Sequence, residues 1–388
     1  MNAQRALSSF RAPEEAATQD RTWTVVRDAY RLREPVPRRR SHRRLLLAPA
    51  IAILLAVVTL SPAGATVGRW IRHALGVPHA APALFRLPAS GSVLVSGAGG
   101  TWTVAADGSS RRLGPWRQAS WSPHGLFVVV TQKDELAAVD PHGTLHWSLA
   151  RPAVHDPRWY VPTGYRVAYL SAHTLRVVAG DGTGDHALAT GIASIAPAWQ
   201  PGSSYRLAYV TRAGTVVVRN ADSKRIIWTA PLSGPARELS WSSDGRELLV
   251  VTATRASLYD AGGHTVATIP AAPGAPIRTA SLAPDGKTLA LIRGAADQDA
   301  VVLNVGSPSP QPRRVLSGAG LRQLAWSPDG RWLLVSWPAA DQWVFVRVAG
   351  MPRIAAVSRI ARQFSARSAQ DAFPRIEGWC CTTSGNAG

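Results

Sequence analysis

The sequence predicts an all-β fold, a seven-bladed β-propeller over 86–381, preceded by a single transmembrane helix and a short cytoplasmic tail. Three observations carry that expectation. A tight polar turn followed by an apolar run recurs at steps close to the length of a four-stranded blade. A second set of turns keeps the same beat between the first ones. One uncharged apolar stretch near the N-terminus, preceded by arginines, is long enough to cross a bilayer.

The repeat is plainest in "AWSPDGRWLLVSW", Ala325 to Trp337. Its turn position recurs at Pro88, Pro123, Pro162, Pro201, Ser243, Pro284 and Pro328, at steps of 35, 39, 39, 42, 41 and 44 residues. One such unit cannot cover both faces of its own sheet, so neighbours must stack on it. Seven units with none left over close a ring. In the turn, proline presets φ, aspartate caps through its side chain, and glycine accepts a positive φ. This reading applies to Pro328, Asp329 and Gly330, to Pro284, Asp285 and Gly286, and to Asp244 and Gly245. Trp121, Trp159, Trp199, Trp241 and Trp326 precede the turns, and a periodic aromatic there is expected to fill the space between blades. The run Leu333–Val335 is continuous rather than alternating, as an inner strand buried on both faces requires. Hairpin signals such as "VDPHG" and "VAGDGT" fall between the repeats. Each unit is therefore expected to run from the turn through four strands to the next tryptophan.

These copies resemble the TolB-type, WD40-like (PD40) propeller repeat, whose hallmark is W-S-P-D-G followed by an apolar strand. The likeness runs from Arg86 to Cys381 and is complete at Trp326–Gly330. Elsewhere Leu282 replaces the tryptophan, Ser243 the proline and His124 the aspartate, and the copies at Pro162 and Pro201 lack the Asp-Gly pair. The resemblance implies a propeller and a binding scaffold; it implies no activity.

The chain has 388 residues and a net charge of +19, from 43 basic residues of which only Lys133, Lys224 and Lys287 are lysine. That balance favours acidic partners, anionic lipid or anionic polymers. The arginines are scattered rather than striped and no recognised module accompanies them, so nucleic acid is not the expected partner. The two cysteines, Cys380 and Cys381, are adjacent. Adjacent cysteines rarely bond to each other, so they are expected to close the last strand after Trp379 as small apolar residues, or to bond another chain. They offer no disulfide framework and no zinc site.

Residues 45–67 carry no charge and are expected to span a membrane as a signal anchor. The first 44 residues hold 11 arginines against 5 acids, while only Arg69 and Arg72 follow closely. The positive-inside rule then leaves 1–44 in the cytoplasm and the propeller outside. "AGA" at 63–65 resembles a cleavage site, but the charged leader before the apolar run is too long for an ordinary signal peptide. Residues 68–85 read as a linker and 382–388 as a tail. Within 1–44, Trp23, Val26 and Tyr30 recur at helical spacing after Asp20, and Pro35 ends the pattern. Such a short amphipathic helix can lie on the inner leaflet or enter a partner's groove. The layout resembles membrane-bound anti-sigma regulators, which implies a sigma factor as one cytoplasmic partner.

No nucleophile elbow, H-E-x-x-H, P-loop or EF-hand occurs, so no catalytic, cofactor-binding or metal-binding residue is expected. "GDGTGD", Gly180 to Asp185, falls on a hairpin and reads as a turn. His155-Asp156 reads as a solvent-facing loop before Trp159. The expected function is non-enzymatic binding of a protein, peptide or envelope polymer. The alternatives are a hydrolase or lyase built on scattered residues of the channel, and a structural lid in a larger complex. Carboxylates or histidines converging in the channel separate the enzyme from the binder.

Overall fold

The computed structural model describes residues 86–381 apart from 162, 203, 308, 309 and 365–372. Seven four-stranded antiparallel sheets make up the described region. In each, one strand ends at the signature tryptophan or its counterpart, or one residue past it in the last: Gln118–Trp121, Val154–Trp159, Ala198–Trp199, Ala236–Trp241, Ile277–Leu282, Gln323–Trp326 and Arg375–Cys380. Each of these strands contacts its counterpart in the next sheet, and the last contacts the first. They are therefore the innermost strands of a closed seven-bladed ring. We number the blades so that blade 1 contains Arg375–Cys380, blade 2 Gln118–Trp121, and so on in chain order to blade 7.

This arrangement moves the blade boundary read from the sequence. The tryptophan strand opens a blade rather than ending one. Trp332–Trp337, whose run Leu333–Val335 was expected to be an inner strand buried on both faces, is the second strand, buried along its whole length. The reason is its neighbours: a second strand is flanked in its own sheet and sandwiched by adjacent blades, whereas an inner strand borders the lumen. Outermost strands alternate instead, as Leu145–Ala150 and Thr265–Pro270 do, because one face looks outward. In blades 1 to 6 the pairing to this outer strand carries a bulge, which adds twist and blunts an exposed edge.

Blade 1 is built from both ends of the propeller. Arg375–Cys380 pairs antiparallel with Ser92–Gly97. The worn copy at Arg86 therefore lacks its own tryptophan: Trp379 supplies it, and its indole N–H donates to the Ser90 carbonyl at 3.2 Å. Between blades 6 and 7, Ala290, Ile292, Leu333, Val335 and Trp337 form one continuous apolar cluster. The segment before the last strand adds a short helix, Ile360–Phe364, whose Phe364 packs against Trp102 and stacks on Trp343.

Cys380 and Cys381 are bonded to each other, against the sequence-based expectation. In a strand, successive side chains point to opposite faces. Here the strand ends at Cys380, and Cys381 turns at a φ of 58°, which breaks that alternation.

Residues 45–67, the tail positions Trp23, Val26 and Tyr30, and the terminal stretches 68–85 and 382–388 lie outside the described residues. Among the described residues no helix is long and apolar enough to cross a membrane.

Candidate functional site

The signature residues line one face of the ring. Trp121, Trp159, Trp199, Trp241 and Trp326 each end an inner strand. Trp199 donates its indole N–H to the Arg158 carbonyl and Trp326 to the Ser281 carbonyl, each in the preceding blade and at 3.0 Å. Trp159 donates instead to Gly164 of its own turn at 2.6 Å. In the turns, Ser242 donates to Asp244 at 2.6 Å, and Asp244 accepts the Arg246 N–H at 3.1 Å. Asp285 and Asp329 cap their turns in the same way. Gly245, Gly286 and Gly330 hold φ between +67° and +70°, which only glycine adopts without strain. A Cβ at Gly245 would also lie 2.4 Å from the Pro201 carbonyl oxygen. Pro123, Pro201, Pro284 and Pro328 occupy the same face; Pro162 lies outside the described residues.

Between blades 2 and 3 this face opens into a groove of about 780 Å³. Leu126 and Tyr165, each 63% exposed, form its rim. In its floor Phe127 stacks on Trp159, ring centres 6.3 Å apart, and meets His146 edge-on at 4.9 Å. At the far end the Arg166 guanidinium lies over the Tyr205 ring at 5.1 Å. The groove forms where the repeat departs from its hallmark: His124 stands for aspartate, and the turn at 161–165 lacks Asp-Gly. An aromatic floor with a few polar groups at the margin suits an extended, partly apolar ligand.

A buried ion network lies beside the groove. Asp185 accepts from Arg151 of blade 2 at 2.7 Å, from Arg176, and from the Tyr169 hydroxyl at 2.6 Å. Burial alone would raise the Asp185 carboxyl, but hydrogen bonds from Arg176, Tyr169 and Arg151 hold it below its ordinary value. Burial, reinforced by the Asp185 carboxylate, pushes the Tyr169 hydroxyl strongly up. "GDGTGD" is indeed a turn, since Asp181 caps Thr183 at 3.0 Å, but its last residue anchors two blades.

The channel is polar. Three positions before the inner-strand tryptophan or leucine stand Gln118, Asp156, Glu238, Thr279 and Gln323. Several of them clasp the next blade. Gln118 accepts the Asp156 N–H at 2.7 Å, Gln323 accepts the Ile376 N–H at 3.0 Å, and Glu238 accepts the Thr279 hydroxyl at 2.7 Å. In blade 1 a bulge shifts the register and turns Glu377 into this position. Burial raises both Glu238 and Glu377 above ordinary carboxyl values, against the lowering effect of Arg158 on each. Arg158 of blade 3 also lowers Asp156. The Arg158 guanidinium thus acts electrostatically on carboxyls from blades 1, 3 and 5, and it donates to the Pro157 carbonyl at 2.8 Å. His155 lies in the inner strand rather than in a loop; it bonds Asp156 at 2.9 Å, which raises its pKa against the effect of burial. The sequence-based reading passed over Glu238 and Glu377. The signal was there for Glu238, in the recurring polar position three residues before the tryptophan, and was hidden by a bulge for Glu377. Among the described residues no group of three or more His, Cys, Asp or Glu side chains could hold a metal ion.

Ring, groove and channel together define the chain as a seven-bladed β-propeller. No protein-family model matches the sequence, and no curated protein is similar to it in sequence. Solved structures are similar in fold. A candidate 6-phosphogluconolactonase from Bacteroides uniformis superimposes with a TM-score of 0.52 at 16% identity, over 70% of this chain and 98% of that one. The Cps50 (Swd1) β-propeller domain of Myceliophteria thermophila gives 0.48 at 13% identity, over 61% and 84%. Hydrazine synthase of Kuenenia stuttgartiensis gives 0.47 at 14% identity, over 59% and 76%. Likeness at this level concerns the fold alone.

Proposed function

We propose that the chain is a non-enzymatic binding propeller, held by residues 45–67 in a bacterial cytoplasmic membrane with the propeller on the outer side. Its ligand is an extended segment of an envelope protein, seated in the groove between blades 2 and 3. The observation that carries this reading is the exposed apolar rim, Leu126 and Tyr165, over a groove of about 780 Å³ with an aromatic floor. The arginine asymmetry around 45–67 supports the orientation. The Cys380–Cys381 bond supports it too, because disulfides persist in oxidising compartments. The W-S-P-D-G copies support a TolB-type assignment. In this reading the tail, through Trp23, Val26 and Tyr30, meets a cytoplasmic regulator such as a sigma factor. The test is affinity purification of the tagged full-length chain from its native membrane, beside a Leu126→Asp/Tyr165→Asp variant and a chain lacking residues 1–40. Envelope proteins retained by the native chain and lost by the groove variant support the binding site. Identical envelope partners from both would remove the groove from the proposal. A cytoplasmic regulator lost only with residues 1–40 supports the relay.

A second reading, a hydrolase acting on an extracellular glycan or peptide, is favoured by one observation. The Glu377 side chain is only 4% exposed in a channel with Asp156 and Glu238, and its Oε1 accepts no hydrogen bond, the Arg375 guanidinium lying 4.0 Å away. Raised carboxyls of this kind can serve as general acids. Hydrolysis of an envelope glycan by the native chain, abolished by Glu377→Gln, would move the function from groove to channel.

A further inference from the structure

The seam where the ring closes carries a feature no other blade has. Trp379-Cys380-Cys381 stands in register with Trp326-Ser327-Pro328. In blade 1, then, where the turn is completed from the N-terminal side by Pro88 and Gly91, a bonded cysteine pair follows the tryptophan. Both residues are partly exposed. They are closely seated nonetheless. A Cβ on Gly91 would lie 2.6 Å from the Cys380 carbonyl oxygen, and a Cβ on Gly125 would lie 3.2 Å from the Cys381 Sγ. Gly91 belongs to blade 1 and Gly125 to the turn of blade 2, so the pair spans the seam between them.

Two further observations bear on what the pair can do. The Cys381 Sγ lies 3.4 Å from the Pro123 carbonyl oxygen, which would accept an S–H from a reduced Cys381. A seat for the thiol form is thus already present beside the disulfide form. Cys381 also holds a φ of 58°, in the left-handed region that favours glycine. The bonded pair stands at the end of the strand that pairs with Ser92–Gly97 to close the ring.

We propose that Cys380–Cys381 is a redox-exchangeable latch on the ring seam, opened by a dithiol and closed again by thiol–disulfide exchange. The carbonyl oxygens of Ser122 and Pro123 shield Cys381, so the entering thiolate attacks the Cys380 Sγ. A mixed disulfide forms there, and the Cys380–Cys381 bond breaks. The Cys381 sulfur leaves as a thiolate, takes one proton from the reductant to become a thiol, and hydrogen-bonds through that S–H to the Pro123 carbonyl oxygen. The second thiol of the reductant then displaces Cys380. The reductant departs as its own disulfide, and both cysteines are left as thiols. Two electrons and two protons pass from the dithiol to the pair. Opening frees Cys381 to leave its left-handed turn, which loosens the end of the closing strand. It also loosens the Ser122–Gly125 turn that walls the groove.

The test uses the full-length chain in its oxidised form, with dithiothreitol as the dithiol and iodoacetamide as the trap. The oxidised protein takes up no alkyl group. The folded protein after brief dithiothreitol treatment takes up one on each cysteine, read by intact mass. Limited proteolysis of the reduced form then runs about tenfold faster, the change expected from a local loss of about 1.4 kcal/mol. The Cys380→Ser/Cys381→Ser variant keeps a hydroxyl donor for Pro123, so it folds. It is cut at the rate of the reduced form and does not respond to dithiothreitol. Three results would each overturn the latch: thiols already present in protein purified without reductant, alkylation only after unfolding, or equal cleavage rates for the oxidised and reduced chains.

Discussion

Blades 5 to 7 and blades 2 to 4 are copies of one unit that solve the same turn in two ways. In blades 5 to 7 an aspartate, Asp244, Asp285 or Asp329, caps the turn, and the turn satisfies its own N–H groups. In blades 2 to 4 that aspartate is absent at His124 and in the turns after Tyr160 and Gln200. Stability there comes from elsewhere. Asp185 ties blade 3 to Arg151 of blade 2, and Gln200 donates across to the Gly245 carbonyl at 2.6 Å. The consequence is visible on the surface. The seam lined by Gly286 and Lys287 encloses about 430 Å³ with Glu247, Lys287 and the exposed Val266 on its margin, whereas the seam between blades 2 and 3 encloses about 780 Å³ under the Leu126 and Tyr165 rim. A repeat that no longer needs its turn to hold itself can use the turn to hold something else.

The largest test of this contrast is Asp185→Asn. It leaves the half-buried Arg151 and Arg176 facing a neutral amide, and with solvent screening of the arginines the loss is about 2–3 kcal/mol, below that of a fully buried pair. Chemical denaturation at neutral pH reads the loss. The Asp185 carboxyl is held below its ordinary value, so the stability it adds is present above the unfolded value and disappears as pH falls through the folded one. The variant and the native chain should therefore converge in acid. If Asp185→Asn is nearly neutral at pH 7, blades 2 and 3 are not joined by this network.

Asp329→Ala comes next. It removes two charge-assisted hydrogen bonds from a partly exposed turn, with an expected loss of about 2 kcal/mol. The converse substitution sharpens the comparison. His124→Asp restores the aspartate beside Ser122 and should stabilise the chain by about 1 kcal/mol, while weakening capture at the groove. A chain neither stabilised nor altered in binding would show that the departure at His124 has no role.

The smallest effect is expected in the channel. Burial raises Glu377, so its contribution to stability is full below the ordinary carboxyl value and is lost as pH rises through the folded one. Glu377→Gln, which keeps no charge, should melt with the native chain near pH 4 and above it near neutrality. Melting curves at the two pH values separate this from a simple packing change, which would move both alike.

The amino-acid sequence by itself determined the number of blades, the signature turn in each and the tryptophan that packs beside it. A unit repeated every 35–44 residues specifies its contacts locally, and hydrophobic period and turn chemistry are local signals. The polar lumen was half legible: Gln118, Asp156, Glu238 and Gln323 keep one place before the tryptophan. Glu377 could not be found that way, because a bulge shifts its register and a bulge depends on the partner strand. Tertiary structure alone decided the rest. Arg375–Cys380 meets Ser92–Gly97 only because the ring closes. Asp185 reads as one more polar residue in a glycine-rich turn until Arg151 arrives from the neighbouring blade. Cys380 and Cys381 bond because the chain turns where the last strand ends. The groove exists only between two blades, neither of which contains it. Apart from the Cys380–Cys381 bond, which joins neighbours at a turn in the backbone, each of these is a contact between distant parts of the chain, and such contacts leave no period in the sequence to read.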